Sequence, residues 1–462
     1  MIVNQTSLPK GRMQMLQKVL VANRGEIAVR IIRACRNLGI RSVAVYSKED
    51  KDSLHVQLAD QRVCIGEGYA KSSYLSKENI LSAALNIGAD SIHPGFGFLS
   101  ENAEFVRMCE EQGITFIGPK ASVIDSMGNK SQARKTMMEA GVPVVPGTKE
   151  PVYDAKTAEV EAEKIGYPVM IKASSGGGGK GMRVANDKEE FEFQFNLAQR
   201  ESANAFGDDT MYIERFVEEP RHVEIQIMAD THGNVVSLGE RDCSVQRNHQ
   251  KLVEESPSPA IDEATRESMS RDAVLAAKKV GYTNAGTIEF IVDNKGNYYF
   301  MEMNTRIQVE HGVTEMVCNV DLIAEQIKVA AGAKLSFKQT DISPRGHAIE
   351  CRINAEIPEK NFMPCPGTVK HMHLPAGCGV RVDTALYTGY KIPSEYDSMI
   401  AKILVWADTR ETAIKKMQAV LDETVIMGME TNLDFQFQIM QHPLFCEGKA
   451  DTSFIEKMMN LG

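Results

Sequence analysis

The stretch EMNTRIQVEH occupies residues 302–311 and alternates polar with mostly apolar side chains. Its even positions carry a carboxylate, an amide, a guanidinium, an amide and a carboxylate: Glu302, Asn304, Arg306, Gln308 and Glu310. Alternation with a period of two is typical of a β-strand, which turns successive side chains to opposite faces. An ordinary half-buried strand turns Lys, Thr or Ser toward water. This polar face therefore predicts a binding or catalytic site.

The sequence before this stretch predicts a β-hairpin. A run of strand formers at 286–292 (GTIEFIV) precedes the turn sequence DNKGN at 293–297, and the second strand follows the turn. Asp, Asn and Gly at such a position favour a tight turn between antiparallel strands. If residues 295–296 form a two-residue loop, Glu289 lies directly opposite Glu302.

This pairing brings together two carboxylates that repel each other. Directly opposed side chains are about 5 Å apart at Cβ, where like charges destabilise a sheet unless a positive charge lies between them. Hard oxygen ligands on a stiff frame, with Asn304 next along the same face, suit a Mg²⁺ ion that also binds substrate phosphates. The alternative is that Lys or Arg neutralises each carboxylate separately.

The composition is that of a globular protein with several domains. The chain has 462 residues, 43% of them hydrophobic and 25% charged, and this length suggests two to four domains. No apolar run approaches the ~18 residues of a membrane span, and the first residues lack the apolar core of a secretory signal. A formal net charge of −10 argues against a nucleic-acid partner, because phosphate backbones require a basic surface. Nine cysteines without a CxxC pair fit reduced thiols, so we expect a cytoplasmic protein with no membrane partner.

The N-terminal residues predict an open, doubly wound α/β sheet. A buried-type strand at 18–22 precedes a helical pattern at 26–38 and a second strand, which together make a βαβ unit. Further strands and helices alternate after it. We therefore assign residues 15–117 to an N-terminal domain that serves as scaffold and interface, and residues 118–143 to a helical connection.

A glycine run marks a second, smaller domain at 144–216. The run SSGGGGKG occupies residues 174–181 between two short strand patterns. It is not a Walker loop, because glycine follows Lys180, and it is not a dinucleotide fingerprint, because a strand pattern follows where a helix is required. The remaining interpretation is a flap whose bare backbone N–H groups close over a polyphosphate, with Lys172 and Lys180 as point charges. A merely flexible surface loop is the alternative.

Residues 217–462 form the third and largest predicted domain, which holds most of the polar strands. Hydrogen-bond donors are dense at 246–251 (QRNHQK), and Arg352 lies in another polar strand. A lone histidine is ordinarily structural, but the density of donors around His249 favours a binding role.

The chain resembles the biotin carboxylases, which are ATP-grasp enzymes. The likeness runs from about Met15 to the C-terminus and rests on the motifs VANRGEIAVRIIRAC, HPGFGFLSENAEF, FIGPK, KASSGGGGKGMR, EEPRHVEIQ, ERDCSVQRNHQK, GTIEF, EMNTRIQVEH, HAIECRINAE and YDSMIAK. The resemblance implies an α/β protein of ATP-grasp architecture. Its parts would be an N-terminal doubly wound domain, a mobile glycine-rich lid domain and a larger α+β C-terminal catalytic domain.

The resemblance also implies a reaction: ATP- and bicarbonate-dependent carboxylation of biotin on a biotin carboxyl carrier protein, by way of carboxyphosphate. Because the sequence contains neither a biotin-bearing Ala-Met-Lys-Met motif nor a carboxyltransferase domain, we expect the carrier and the carboxyltransferase to be separate chains. A homodimer is implied. We expect acetyl-CoA carboxylase as the parent enzyme, with a pyruvate or other acyl-CoA carboxylase as the alternative. Two rival interpretations are another ATP-grasp ligase and a catalytically inactive ATP-binding protein.

The same resemblance assigns roles to individual residues. It implies ATP contacts from Lys130, Lys172, Gly176, Gly177, Gly178, Gly179, Gly181, Glu214, Arg215, Val217, His222, Gln246, His249, Glu289 and Glu302. It implies ligands of Mg²⁺ or Mn²⁺ at Glu289, Glu302 and Asn304, and a bicarbonate pocket made by Lys251, Arg306, Gln308 and Val309. The catalytic set comprises Glu310 as the base, Arg352 as the residue that binds biotin and stabilises its enolate, and Lys251 and Arg306.

The chain departs from the family pattern at a few positions. Gly312 stands where proline usually follows the Glu-His pair, and Asn248 stands where a basic residue is common. Arg215 and Val217 replace the frequent Lys and Leu near the adenine. None of these changes removes a group that the chemistry needs, but we expect Gly312 to loosen the chain just after the catalytic strand.

Overall fold

The structure of the protein is a computed structural model that describes residues 16–173 and 181–460. The chain is divided between a parallel sheet near the N-terminus, a small antiparallel sheet in the middle and a large antiparallel sheet that extends through the C-terminal half. None of the helices in the described ranges combines the length and apolar character that a membrane span requires.

The N-terminal sheet is parallel and doubly wound, as the sequence predicts. Its strands are β1 (Lys18–Val21), β2 (Arg41–Ser47), β3 (Gln61–Gly66), β4 (Ser91–His93) and β5 (Thr115–Phe116). Its helices are α1 (Gly25–Asn37), α2 (Leu54–Leu58), α3 (Lys77–Ile87) and α4 (Ala103–Glu111). The strand order is β3-β2-β1-β4-β5, and β1 is buried on both faces. Leu20 faces the core that α3 and α4 cover, whereas Val19 and Val21 face the core that includes α1.

Two helices lead from this sheet to the lid. They are α5 (Ala121–Gly128) and α6 (Lys130–Glu139). The lid consists of α7 (Ala155–Ile165), β6 (Val169–Ala173), β7 (Met182–Ala185), α8 (Lys188–Phe206) and β8 (Met211–Arg215). Its antiparallel sheet has the order β7-β6-β8, and Phe191 and Phe195 of α8 fill its small core. The predicted flap residues 174–180 lie outside the described residues, between β6 and β7.

The large sheet has eight strands, which all come from the part of the chain after the lid. The remaining strands are β9 (Arg221–Ala229), β10 (Val235–Arg247), β11 (Gln250–Ser256), β12 (Asn284–Val292), β13 (Tyr298–Asn304), β14 (His347–Asn354), β15 (Glu356–Ile357), β16 (Met363–Pro364), β17 (His371–His373), β18 (Val380–Thr384), β19 (Met399–Ala407) and β20 (Val425–Met427). The remaining helices are α9 (Glu263–Lys279), α10 (His311–Cys318), α11 (Leu322–Ala330), α12 (Arg410–Glu423), α13 (Leu433–Gln441), α14 (Pro443–Cys446) and α15 (Phe454–Asn460). The sheet order is β13-β12-β9-β10-β11-β14-β19-β18, whereas β15-β16 and β17-β20 form separate two-stranded pairs.

The hairpin of β12 and β13 pairs the two glutamates as predicted, but its loop is longer than the predicted two residues. Glu289 lies opposite Glu302, as predicted. The two-residue loop is wrong, because Val292 pairs with Tyr298 and the turn spans 293–297. A bulge between these two regions, with Met301 as the extra residue, shifts the register by one. Without the bulge, the register set by the longer loop would place Met301, rather than Glu302, opposite Glu289.

The predicted strand at 302–310 ends early, at Asn304. The next backbone N–H, that of Thr305, donates to the Glu101 carboxylate at 3.1 Å instead of to another strand. Residues 305–310 then turn into α10, for which Glu310 is the N-cap residue. The polar side chains beyond Asn304 are therefore presented by an irregular segment.

Gly312 lies in the first turn of α10, pressed against β19. A Cβ atom at this position would lie 2.4 Å from Cδ2 of Leu404 and 3.3 Å from Oε2 of Glu350. The structure thus gives the glycine a packing role, since its missing side chain lets α10 approach the sheet. This differs from the loosening effect that we expected from the sequence.

Replacement of Gly312 by alanine should destabilise the protein by about 1–3 kcal/mol, because the added methyl group overpacks a closed site. Leu404→Val removes the colliding carbon, so the double variant should lose less free energy of unfolding than the sum of the two single variants. Urea-unfolding curves of the four proteins measure this coupling.

Gly128→Ala is the matched control, because Gly128 is also helical but a Cβ atom there would have nothing within 4 Å. That variant should be neutral or more stable by up to about 1 kcal/mol. A Gly312→Ala protein as stable as the wild type, or strictly additive losses, would contradict the packing role.

Candidate active site

A cavity of about 890 Å³ lies between the lid and the large sheet, and the N-terminal domain contributes Phe96 and Gly97 to its wall. It collects most of the residues that the resemblance assigns to the site. These residues are Lys130, Lys172, Glu214, Arg215, Val217, His222, Gln246, His249, Lys251, Glu289, Glu302, Asn304, Arg306, Gln308, Val309, Glu310 and Arg352. Of the others, Gly181 precedes β7 and does not line the cavity, and Gly176–Gly179 fall outside the described residues.

Lys251 lies at the centre of the buried carboxylates of this cavity. Its Nζ atom is 2.6 Å from Glu224, 3.4 Å from Glu289 and 2.5 Å from Glu310. The three glutamates come from β9, β12 and the turn before α10, and all are buried. Burial lowers the pKa of Lys251, but the surrounding negative charge outweighs burial and raises it well above its usual value. The lysine is therefore a permanent cation.

Glu310 lies between two cations. Besides Lys251, it accepts a hydrogen bond from Nη2 of Arg352 at 3.0 Å. Burial alone would raise its pKa, but Lys251 and then Arg352 hold the pKa of this carboxyl well below its usual range. Arg352 is oriented in turn by Glu254, which accepts from its Nε at 2.6 Å. The site thus presents an ionised carboxylate beside a fixed guanidinium.

Arg306 is held by acceptors around its guanidinium. Its Nε donates to Glu101 at 2.9 Å, its Nη1 to Gln308 at 2.7 Å and its Nη2 to Asn304 at 3.1 Å. Because Glu101 precedes α4, this contact links the N-terminal domain to the site. The guanidinium is therefore preorganised before any anion binds.

The opposed glutamates differ in their partners. Glu289 accepts from Asn304 at 2.6 Å and from Gln308 at 2.9 Å, and His222 Nε2 lies 2.9 Å from its second oxygen. Among residues 16–173 and 181–460, no hydrogen bond or ion pair reaches the Glu302 carboxylate. Burial and then the charge of Glu289 raise the pKa of Glu302.

This pair fits a divalent cation, since two facing carboxylates lack a shared positive charge. Asn304 adjoins them, although its side-chain oxygen accepts from Arg306 in this structure. The alternative of separate neutralisation holds for Glu289. For Glu302 the charge of Lys130 acts against the rise in pKa without an ion pair forming among the described residues, so burial and Glu289 prevail.

The far end of the cavity holds the predicted nucleotide contacts. The ammonium of Lys172 binds Glu214, which also accepts from Arg134 at 3.1 Å.

At the turn between β10 and β11, Asn248 and His249 have φ values of 49° and 65°. Left-handed backbone at both central residues is the type I′ hairpin, and asparagine adopts it more readily than a basic side chain. The departure at Asn248 is therefore explained by turn geometry.

Four residues of the site were missed from the sequence, among them Glu254, which orients Arg352. Glu224 binds Lys251 and the fully buried Arg241, and it could have been found because His222, Glu224 and Gln226 alternate along β9 as the residues of 302–310 do. Glu101 and Arg134 have no comparable local signal, since each acts on a partner far away in the sequence.

Three family models together match most of the chain. The model of the biotin carboxylase N-terminal domain matches residues 15–124. The ATP-binding domain of the carbamoyl-phosphate synthase L chain matches residues 129–338, and the biotin carboxylase C-terminal domain matches residues 350–457.

Full-length relatives agree with these matches. The chain is 58% identical over 443 residues to biotin carboxylase 1 of Bacillus subtilis, covering 96% of this chain and 98% of that protein. It is 54% identical over 441 residues to the biotin carboxylase of a Nostoc species, covering 96% and 99%. A pyruvate carboxylase component of Methanothermobacter thermautotrophicus is 52% identical, with 96% of this chain and 90% of that protein covered.

A solved structure shows the same architecture. It is the dimeric biotin carboxylase domain of 2-oxoglutarate carboxylase from Hydrogenobacter thermophilus, in complex with MgADP, ADP and bicarbonate. The TM-score is 0.91 at 48% identity, with 97% of this chain and 99% of that chain covered. Because identity of this degree extends over nearly the full length, this chain belongs to the biotin carboxylase family of ATP-dependent ligases.

Proposed function

We propose that this protein uses ATP and bicarbonate to carboxylate biotin on a biotin carboxyl carrier protein. The observation that carries the proposal is the single cavity in which an ionised glutamate, Glu310, touches both Lys251 and Arg352 beside the opposed carboxylates of β12 and β13. The bicarbonate and MgADP bound by the Hydrogenobacter relative support the same pair of substrates.

Bicarbonate activation is assigned to Glu310. Bicarbonate is a weak nucleophile until it loses its proton, and Lys251 and Arg306 provide the positive charge that attracts the anion. In the free site the cations keep Glu310 ionised. A bound anion adds negative charge beside the glutamate, which raises its pKa toward the value that a base needs.

Phosphoryl transfer is assigned to the part of the cavity under the lid. Lys130 and Lys172 neutralise phosphate charge, and Lys172 must leave Glu214 to do so. Glu289 and Glu302, with Asn304, would hold Mg²⁺ or Mn²⁺, which stabilises the charge on the transferred phosphoryl group when it is bound. Closure of the lid excludes the water that would hydrolyse carboxyphosphate.

Biotin carboxylation is assigned to Arg352. Carboxyphosphate breaks down to CO₂ and phosphate, phosphate takes the proton of the biotin ureido nitrogen, and that nitrogen then forms its bond to the carbon of CO₂. The guanidinium of Arg352, already oriented by Glu254, stabilises the resulting oxyanion.

The parent enzyme is proposed to be acetyl-CoA carboxylase, with a pyruvate or other acyl-CoA carboxylase as the alternative. Relatives named for pyruvate and 2-oxoglutarate carboxylases have comparable identity. We also propose separate carrier and carboxyltransferase chains and a homodimer, as well as a cytoplasmic location that fits the nine unpaired cysteines. Identification of the carboxyltransferase that co-purifies with the native protein distinguishes the parent enzymes.

The domain boundaries are proposed to be 15–117, 118–143, 144–216 and 217–462. The small core of the lid supports the separation of residues 144–216 from their neighbours.

The two other candidates are another ATP-grasp ligase and an inactive ATP-binding protein. The first would not need Arg352 beside the base, and the second would not retain every charged group of the cavity. Bicarbonate-dependent release of ADP that free biotin accelerates is the outcome that excludes both.

Glu302→Gln and Glu289→Gln should each lose most ATP cleavage and require a much higher Mg²⁺ concentration, because half of the opposed pair loses its charge. The measurement is the rate of ADP release across a Mg²⁺ titration. Glu325→Gln, a change of a buried glutamate in α11, serves as the control and should keep the wild-type dependence. Wild-type turnover of either site variant at limiting Mg²⁺ would contradict the metal assignment.

Glu310→Gln and Arg352→Ala should separate the two half-reactions. Loss of the base should lower ATP cleavage and biotin carboxylation together, by about 10² or more. Loss of the oxyanion donor should lower carboxylation by roughly 10² to 10³ while bicarbonate-dependent ATP cleavage falls less. The ratio of ADP released to carboxybiotin formed measures the difference.

Arg266→Ala, which removes an arginine paired with Glu240 outside the cavity, should leave that ratio unchanged. Equal losses of both activities in Arg352→Ala, or an unaffected Glu310→Gln enzyme, would refute this division of roles.

A further inference from the structure

A fully buried lysine, Lys402, lies behind the site on β19. Its ammonium donates a hydrogen bond to the backbone carbonyl of Val309, which lines the cavity. In the sheet, Lys402 is the direct cross-strand neighbour of Arg352 on β14 and of Asp383 on β18. The sheet therefore places this lysine directly beneath the segment that carries the catalytic glutamate.

Carboxylates from different parts of the fold converge on this ammonium. Glu26 of α1 lies 3.7 Å away, Glu350 of β14 lies 3.8 Å away and Asp383 lies 4.0 Å away. All four oxygens of Glu26 and Glu350 are buried and have no hydrogen-bond partner among the described residues. Lys402 is therefore the positive charge that these two glutamates share, and it is held in place from the N-terminal domain as well as from the sheet.

The segment at 305–310 is positioned by side-chain bonds and a few backbone contacts, because among the described residues it pairs with no strand. The carbonyl of Gln308 accepts from the backbone N–H of His311 at 3.4 Å and lies 2.8 Å from Nδ1 of that residue. The next carbonyl, that of Val309, is held by Lys402. A hydrogen bond from a charged donor is stronger than one between neutral groups. The bond from Lys402 therefore fixes the backbone at Val309, while the side chains on either side of it, Gln308 and Glu310, are held by their own charged partners.

We propose that Lys402 is a positioning residue that holds the Gln308–Glu310 segment in the geometry required for bicarbonate binding. This inference rests on the proposed function. It predicts that loss of the ammonium weakens the handling of bicarbonate more than that of ATP, because the proposed contacts to ATP lie mainly on other elements.

Lys402→Met tests the inference, since methionine has a similar length and no charge. The KM for bicarbonate in ATP cleavage should rise roughly 10- to 100-fold, the scale of losing one charge-assisted hydrogen bond. The KM for ATP should stay within about twofold of the wild type. A residue with only a structural role would lower the amount of active enzyme and leave both KM values unchanged.

Two further variants separate the effect of the bond to Val309 from the effect of the buried charge of Lys402. Glu26→Gln removes one carboxylate and keeps the bond from Lys402 to Val309, so its KM for bicarbonate should match the wild type. The double variant Lys402→Met/Glu26→Gln also removes the Glu26 carboxyl, which would otherwise stay buried without its cation and without a hydrogen-bond partner, and should recover part of the stability lost in the single variant. Its KM for bicarbonate should remain high.

The outcomes distinguish this inference from the proposed function. Wild-type protein that shows no bicarbonate-dependent ATP cleavage would refute the proposed function. Wild-type protein that shows it, with an unchanged KM for bicarbonate in both Lys402 variants, would refute the positioning role alone. Failure of both variants to fold would also overturn the inference, because Lys402 would then be a structural counterion.

Discussion

The ammonium of Lys251 is the interaction on which the site depends. Three buried glutamates, Glu224, Glu289 and Glu310, come within 3.4 Å of it. Carboxylates buried this closely together would repel one another and take up protons if the cation were missing. With it, Glu289 and Glu310 have lowered pKa values and remain ionised. Lys251, with Arg352 on the other side of Glu310, thus permits both the proposed metal ligand and the proposed base to be charged inside one cavity.

A second constraint is the irregular backbone that follows β13. An extended strand would have placed its side chains in a row along the sheet, but Thr305 turns away to Glu101 and the chain enters α10 at His311. The turn brings Glu310 over β11 and β14, where Lys251 and Arg352 can reach it from two strands. The site is therefore assembled across the sheet instead of along one strand.

The N-terminal domain and the large sheet are joined by both apolar and charged contacts. Ile27 and Ile31 of α1 share a core with Leu322 and Ile323 of α11. Glu101 contacts the site from the same domain. This joint burial explains why the segment after β13 can be held by residues far away in the sequence, while the lid keeps a small core of its own.

Local patterns in the sequence determined the elements and the chemical character of the site. Period-two and helical spacing predicted the doubly wound sheet and the β12–β13 hairpin, because burial on one face imposes such periods on any chain. The residues around 302–310 and 246–251 showed by their polarity alone that a ligand is expected. The pairing of Glu289 with Glu302 was predicted correctly, although from a loop that the structure does not contain.

Tertiary structure decided what no local pattern encodes. The bulge at Met301 corrects the register that the wider turn would impose. β13 ends at Asn304 because the next backbone N–H, that of Thr305, donates to Glu101 of the N-terminal domain. The role of Lys402 arises only when β19 lies beneath the turn before α10. In the sequence this lysine is one polar residue within an apolar strand, whereas its partners Glu26, Val309 and Glu350 are brought to it by packing. Sequence alone therefore determined which groups are present, and the fold decided which charges meet, because electrostatic contacts depend on distance in space and not on separation along the chain.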